Sequence, residues 1–250
     1  MPGDTHNAAQ HRRQASSFGA AAAAYEHGRP PYPPEAVDWL LPGGASRVLD
    51  LGAGTGKLTR QLRDRGLDVI AVEPSEGMRE QLARAVPGAA VHAGSAEEIP
   101  LPDHSVDAVL VAQAWHWVDR SRAVPEVARV LVPGGRLGLV WNIRDEREDW
   151  VAELGRILRD PGEHQRQDRG IIGPPFGPVE HRAVEWTHRL SRDELIDLAA
   201  SRSYVITMPD QERAAVLAGV AHLADRRLGP AGAGELVLPY VTECYRAELS

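Results

Sequence analysis

The chain contains one cysteine, two phenylalanines and a deficit of positive charge, and no apolar run approaches the ~20 residues that span a bilayer. Each shortage removes a class of protein. The single Cys244 excludes an internal disulfide and a cysteine-built metal cage, and no neighbour in sequence activates its thiol. No His and Cys pattern suggests a metal. The start, "MPGDTHNAAQHRRQASSFG", has basic residues but no apolar stretch behind them, so it does not read as a secretory leader and a cytoplasmic location is expected. Lys and Arg total 28 against 35 Asp and Glu, a formal net charge of −7. That balance gives no electrostatic footprint for nucleic acid. A small-molecule partner is expected, with no membrane or nucleic-acid partner, on a monomer or homodimer. Lys57 is the only lysine, which reads as the coding bias of a GC-rich genome.

What remains is ordinary for a folded protein: 43% hydrophobic and 25% charged residues over 250 positions, enough for one large α/β domain. Residues 1–16 are polar and aperiodic, "SSFGAAAAAYEHG" is helical in pattern, and "RPPYPPE" breaks it, so 1–34 reads as a tail and a helical lid. From residue 35 short apolar strands alternate with helices. Strands are expected at 47–51, 68–72, 89–93, 106–112 and 136–142, and helices at 56–65, 75–85, 121–132 and 146–159. Strands such as "VDAVLVA" are apolar at consecutive positions, as parallel strands buried on both faces are. Past about residue 160 the pattern changes to a loop, "PGEHQRQDRGIIGPPFGP", and an alternating strand, "VEHRAVEWTHRL". Then come a Ser-capped helix, "SRDELIDLAAS", and a long helix at 209–228. Helices at 191–228 thus form an insertion before a final strand at 235–249. The two late strands suggest an antiparallel addition at one sheet edge.

The stretch "VLDLGAGTGKLT", residues 48–59, packs three glycines behind the first strand. A Walker A loop needs four residues between its glycines and Ser or Thr after the lysine, whereas three separate Gly52 from Gly56 and Leu58 follows Lys57. A dinucleotide fingerprint needs its third glycine where Lys57 stands. What fits is an acidic residue, one apolar residue, then G-x-G-x-G. A carboxylate at Asp50 would repel a pyrophosphate and suits a ligand carrying an ammonium and a sulfonium, as S-adenosylmethionine does.

That stretch resembles motif I of the class I S-adenosylmethionine-dependent methyltransferases, and the resemblance continues in order over about residues 35–145. "DVIAVEPSEGM" places Glu73 where these enzymes bind the ribose hydroxyls, and "AGSAEEIPLPDHSVDAVLVAQAWHW" looks like their adenine-binding turn and fourth strand. In the family an Asp is frequent at the position of Ser95 and reads the adenine amino group, while the amide at Ala96 meets a ring nitrogen. Ser95 departs from that pattern. "RVLVPGGRLGLVWN" is similar to the family's Pro-Gly-Gly turn and fifth strand. "AAAYEHGRPPYP", "AQAWHWVD", "WNIRDE", "SRSYV" and "LPYVTECYRAEL" look like a bacterial small-molecule branch related to the type 11 group. The resemblance implies a Rossmann-like, mainly parallel seven-stranded sheet with helices on both faces. It implies S-adenosylmethionine as cofactor, S-adenosylhomocysteine as product, and methyl transfer to an O, N or C nucleophile. Asp50, Gly52, Ala53, Gly54, Thr55, Gly56, Glu73, Pro74, Met78, Ser95, Ala96, Glu97 and Gln113 would form the cofactor site, with Arg29 on the methionine carboxylate.

Several residues admit two readings. The glycine loop is a tight turn without a ligand if Glu73 and the Ser95 turn are coincidental. His116, between Trp115 and Trp117, is either a general base or, as preferred here, part of a wall shaping the acceptor pocket. Asp119 reads as a helix N-cap. Tyr32, Asn142, Arg144, Arg202 and Tyr204 are candidate acceptor contacts, set against packing in the connector and insertion. Asp145 and Glu146 either face the acceptor or cap the next helix. A noncatalytic S-adenosylmethionine-binding protein would share these features, and an NAD(P)-dependent oxidoreductase would share the sheet.

Overall fold

The computed structural model describes residues 29–159, 169–229 and 234–250. The tail and helical segment expected over 1–28 lie outside the described residues. The Pro-rich stretch runs irregularly into a helix that periodicity did not reveal, α1 (Pro34–Leu40). Its signal was Pro34, since proline at a helix start gives up an N–H that has no partner there.

The chain then runs β1 (Arg47–Leu51), α2 (Lys57–Arg63), β2 (Asp68–Val72), α3 (Glu76–Ala85), β3 (Ala90–His92) and β4 (Val106–Ala112). A 3₁₀ turn (Trp115–Trp117), α4 (Arg120–Val130), β5 (Leu131–Arg144) and α5 (Asp149–Leu158) follow. The remainder is β6 (Glu180–Leu190), α6 (Arg192–Ala200), α7 (Ser203–Ile206), α8 (Asp210–Leu228) and β7 (Leu236–Glu248). The seven strands order as β3-β2-β1-β4-β5-β7-β6, and β1 pairs in parallel with both β2 and β4, as do β2 with β3 and β4 with β5. This is the expected Rossmann-like sheet, with the two late strands beyond β5. Strand order reverses beside β1, which creates a switch point at the carboxyl ends of β1 and β4, where open sheets bind ligands.

Two expected boundaries move by three residues or more. The strand expected at 136–142 starts at Leu131, and the expected Pro-Gly-Gly turn lies inside it. Val106 pairs with Leu131 and Ala108 with Arg136, so the extra residues form a bulge. Proline's missing donor and the positive φ of Gly134 (74°) are tolerated there because the ladder is already interrupted. The helix expected from 146 starts at Asp149. Asp145 accepts the Arg147 backbone N–H at 3.1 Å and pairs with its guanidinium at 2.5 Å, so a turn replaces the first helical residues. Neither Asp145 nor Glu146 is the N-cap, a position held by Glu148.

The chain divides into two compact units. The sheet unit holds residues 31–142, 169–184 and 242–250, and the second unit holds 29–30, 143–159, 185–229 and 234–241 among the described residues. In the sheet unit, consecutive residues such as Val48 and Leu49 on β1 and Ala108 to Val111 on β4 are all buried, so both faces of these strands are covered. One cluster joins Val37 and Leu40 of α1 and Leu58 and Leu62 of α2 to Val48, Val69, Leu110 and Cys244. Burial pushes the Cys244 thiol up to about 12, which leaves it inert. The second unit packs Trp150, Leu154 and Leu158 of α5 against Leu195, Val220, Leu223, Leu238 and Tyr240. Its helix α6 opens with a reciprocal capping box, in which Ser191 and Glu194 each receive the other's backbone N–H. Among the described residues, no helix is long and apolar enough to cross a membrane.

Candidate cofactor site

The site begins where β1 ends. The N–H groups of Gly52 and Ala53 donate to the Val72 carbonyl at 2.8 and 3.1 Å, which bends the chain at the end of β2. Gly56 then donates to the Ala53 carbonyl at 2.9 Å and serves as N-cap of α2 with φ +90°. A side chain at Gly56 would bring a Cβ within 2.8 Å of Leu82 Cγ, and one at Gly52 (φ +72°) within 3.0 Å of Ala114 Cβ. Positive φ and the close approach together require glycine at both positions.

Two carboxylates face this loop. Asp50 is fully buried, and its Oδ2 accepts the Thr59 hydroxyl at 2.6 Å. Its Oδ1 is buried with no hydrogen-bond partner. Burial lifts the Asp50 pKa to about 7, the neighbouring Glu73 charge adds to the rise, and the Thr59 hydrogen bonds oppose it. Glu73, just past β2, is buried too. Its Oε2 accepts the Gly54 N–H and its Oε1 the Ser75 N–H, both at 2.9 Å. Burial raises its pKa, and the Ser75 and Gly54 amides and Arg79 counter the rise. Thr55 adds a buried hydroxyl without a partner. An anionic loop with unsatisfied acceptors suits a cationic ligand and costs free energy while none is bound.

The other predicted contacts in this unit have defined places. Met78 is buried on α3, and Pro74 lends its carbonyl to Arg79 at 2.7 Å. Ser95 bridges to Glu98 across a turn that buries Ala96. Glu97 accepts the Asp119 N–H at 2.8 Å, and Asp119 caps α4 as expected, which ties the turn to that helix. Gln113 stands at φ 59° and donates from Nε2 to the Asn142 carbonyl at 3.2 Å. Asn142 Nδ2 donates to the Pro31 carbonyl at 3.0 Å, and its Oδ1 accepts the Thr242 hydroxyl at 2.7 Å. Asn142 therefore ties three segments together, leaving one donor and one lone pair for any acceptor. Tyr32 is buried in the core cluster, with its backbone held by Gln61 at both N–H and carbonyl.

Past β4, Trp115 is buried and donates from Nε1 to the Ile171 carbonyl at 3.2 Å. His116 packs on Trp117 with ring centroids 4.6 Å apart. The Trp141 indole N–H, which can only donate, faces His116 Nδ1 at 3.5 Å, the long limit of a hydrogen bond.

The second unit gathers a different set. Arg202, predicted as an acceptor contact, lies close enough to Tyr204, predicted likewise, to Arg144 at the end of β5 and to Arg29 to feel each of them electrostatically. Tyr240 belongs to the same group and was missed, as were Thr59, Trp141 and Thr242. Thr59 stands nine residues after Asp50, and the helical phase of α2 could have flagged it. Tyr240 and Thr242 come from the far end of the chain and gave no local signal.

Residues 49–139 match the family model for a methyltransferase domain. An uncharacterized methyltransferase of Mycobacterium tuberculosis is 59% identical over 239 residues, covering 96% of this chain and 98% of its own. The chain belongs to the class I S-adenosylmethionine-dependent methyltransferases. An uncharacterized methyltransferase-like protein of Schizosaccharomyces pombe is 34% identical over 246 residues, covering 93% of this methyltransferase and 95% of its own length. The solved structure of a candidate type II methyltransferase from Anaeromyxobacter dehalogenans superposes with a TM-score of 0.72 at 27% identity, covering 88% and 98% of the two chains. The residues present fit the cofactor of this family. Asp50 Oδ1 is a buried acceptor without a donor, and the Glu73 oxygens each keep a lone pair for a ribose hydroxyl.

Proposed function

We propose that this methyltransferase transfers the methyl group of S-adenosylmethionine to an oxygen, nitrogen or carbon nucleophile of a small molecule. The observation that carries the reading is the unsatisfied Asp50 Oδ1 beneath a glycine loop braced by Glu73. When bound, S-adenosylmethionine supplies a methyl group already activated on a sulfonium. Asp50 and the loop would hold its cationic methionine end, Glu73 the ribose diol, and the Ser95–Ala96 turn the adenine. A pyrophosphate, anionic with no compensating cation of its own, is poorly matched to two buried carboxylates, which argues against a nicotinamide dinucleotide.

The remaining work is positioning. Holding a nucleophile in line and excluding water can supply roughly 7–11 kcal/mol of the barrier. His116 fits a positioning role better than that of a base. A neutral imidazole has one accepting nitrogen; if Nδ1 receives the Trp141 N–H, the proton sits on Nε2, which then cannot take another.

Calorimetry with S-adenosylhomocysteine and NAD tests the cofactor, and methyl-labelled S-adenosylmethionine on a metabolite panel tests the reaction. The expected result is micromolar affinity for S-adenosylhomocysteine, about −7 to −9 kcal/mol, with NAD far weaker. Comparable NAD binding would sink the reading. Tight binding without turnover of any metabolite would make the protein a cofactor-binding module.

A further inference from the structure

The buried Asp50 carboxylate is partnered on one oxygen and bare on the other, and Thr59 accounts for the difference. Thr59 lies fully buried in the first turn of α2 and donates its hydroxyl to Asp50 Oδ2 at 2.6 Å, while its backbone N–H supports the same carboxylate. That N–H belongs to a helix whose N-cap, Gly56, has no side chain to receive it, so Asp50 acts as its cap from the neighbouring strand. Oδ1 is buried with no hydrogen-bond partner. The residues paired with Asp50 across the ladder are apolar, Ala71 on β2 and Leu110 on β4, and Glu73 past the end of β2 acts on it as a like charge.

Folding alone is poorly served by this arrangement. A hydroxyl and a carboxylate in a dry interior leave the second oxygen desolvated and unpaired, which costs more than an apolar pair of the same shape. A ligand that donates to Oδ1 recovers that cost. We propose that Thr59 is a positioning residue for cofactor binding: by occupying Oδ2 it fixes the Asp50 carboxylate, keeps it anionic in its dry site and leaves Oδ1 as the acceptor offered to the ammonium group of S-adenosylmethionine. The inference rests on the S-adenosylmethionine reading of the site, and Thr59 acts through Asp50 without touching the ligand.

The consequence is a proton-linked affinity. Burial lifts the Asp50 pKa to about 7 against the pull of the Thr59 hydrogen bonds, so both of its forms are populated near neutrality. The anion attracts an ammonium group and the neutral acid does not, so affinity rises with pH through that range. Without the Thr59 hydroxyl the opposing pull weakens, the carboxyl keeps its proton to higher pH, and the rise in affinity moves the same way.

The test uses the full chain and calorimetry between about pH 6 and about pH 8.5 with two probes. S-adenosylhomocysteine carries the ammonium group, whereas 5′-methylthioadenosine has the same nucleoside and thioether without the amino-acid end. Any pH dependence that Glu73 contributes through the ribose is common to both. The variants are Thr59→Val, which keeps the shape and removes the hydroxyl, and Thr59→Ser, which keeps the hydroxyl. Wild-type affinity for S-adenosylhomocysteine should rise about tenfold more than that for methylthioadenosine across the range. At pH 7 Thr59→Val should bind S-adenosylhomocysteine about tenfold more weakly than the wild type, with the gap closing as pH rises. Thr59→Ser should follow the wild-type profile, and methylthioadenosine should bind all three proteins within about twofold. The proposal is overturned if Thr59→Val binds S-adenosylhomocysteine as the wild type does at pH 7, or if its deficit extends equally to methylthioadenosine, as a general disturbance of the loop would make it. The wild-type profiles also judge the proposal by themselves, whether or not Thr59→Val folds: equal pH dependence for the two probes overturns it. Failure of the wild type to bind either probe would remove the cofactor reading itself and the role of Thr59 with it, a result distinct from binding that ignores Thr59.

Discussion

Asp50 and Glu73 in the sheet unit are buried carboxylates, whereas Arg202 in the second unit is a half-buried guanidinium, and the two kinds of group meet the cost of leaving water in different ways. The carboxylates are partly compensated by their own chain: Thr59, Gly54 and Ser75 donate to three of their four oxygens. A carboxylate can also shed its charge, as the rise of Asp50 to about 7 indicates. Arg202 cannot neutralise, and with its Nε buried without a partner its charge depends on the part of the residue that stays exposed. The acidic site is therefore preorganised for one chemical type of ligand and tolerates its absence.

The sharpest way to break this comparison is Glu73→Ala. Glu73 both offers oxygens to the ribose and anchors Gly54, so two charge-assisted hydrogen bonds worth about 1.5–3 kcal/mol each are at stake. S-adenosylhomocysteine affinity should fall by about a hundredfold or more. An unchanged cofactor affinity would mean that the ribose is held elsewhere.

Next in size is the pH dependence of stability set by Asp50. Its folded pKa of about 7 lies above the ordinary carboxylate value of about 3.9, so between these values the folded protein holds a proton that the unfolded chain has lost. The stabilising contribution is complete below about pH 4, declines as pH rises through 7, and is flat above that. The span is a few kcal/mol at most. Urea denaturation at pH 5 and pH 8 should show wild-type stability falling relative to Asp50→Asn. A difference between the two proteins that is constant with pH would mean Asp50 titrates normally. The same linkage makes binding of a cationic ligand release a proton near neutrality, which calorimetry in buffers of different ionisation enthalpy reads directly.

A smaller change separates the two units as folded bodies. Ser191→Ala removes one half of the α6 capping box and should cost about 1 kcal/mol. Amide exchange should quicken in α6 and α8, which pack together, while β1 and β4 keep their protection. Uniform quickening across the sheet would show that the units open as one.

His116→Ala should have the least effect on chemistry. If His116 shapes a wall beside Trp117, KM for the acceptor rises severalfold and kcat changes by less than about tenfold, with no change in the pH profile. A hundredfold loss of kcat together with loss of the pH dependence would instead make it the base.

The sequence alone determined the sheet unit in most respects. β1, β2 and β4 fall at the expected residues because strands buried on both faces announce themselves as continuous apolar runs, and the spacing of Asp50, Gly52 to Gly56 and Glu73 is local to one strand-turn-helix-strand unit. The glycines were legible because positive φ and close approach admit almost no other residue. The tertiary structure decided what local pattern cannot encode. It set the bulge that absorbs Pro133 to Gly135, the turn that delays α5, and the tie of Asn142 to Pro31 and Thr242, a hundred residues further on. It also gathered Arg29, Arg144, Arg202, Tyr204 and Tyr240, which span more than two hundred positions of the sequence, into one electrostatic neighbourhood. A lone arginine in a sequence reads as a solvated charge, and only packing reveals that the Arg202 Nε is buried without a partner.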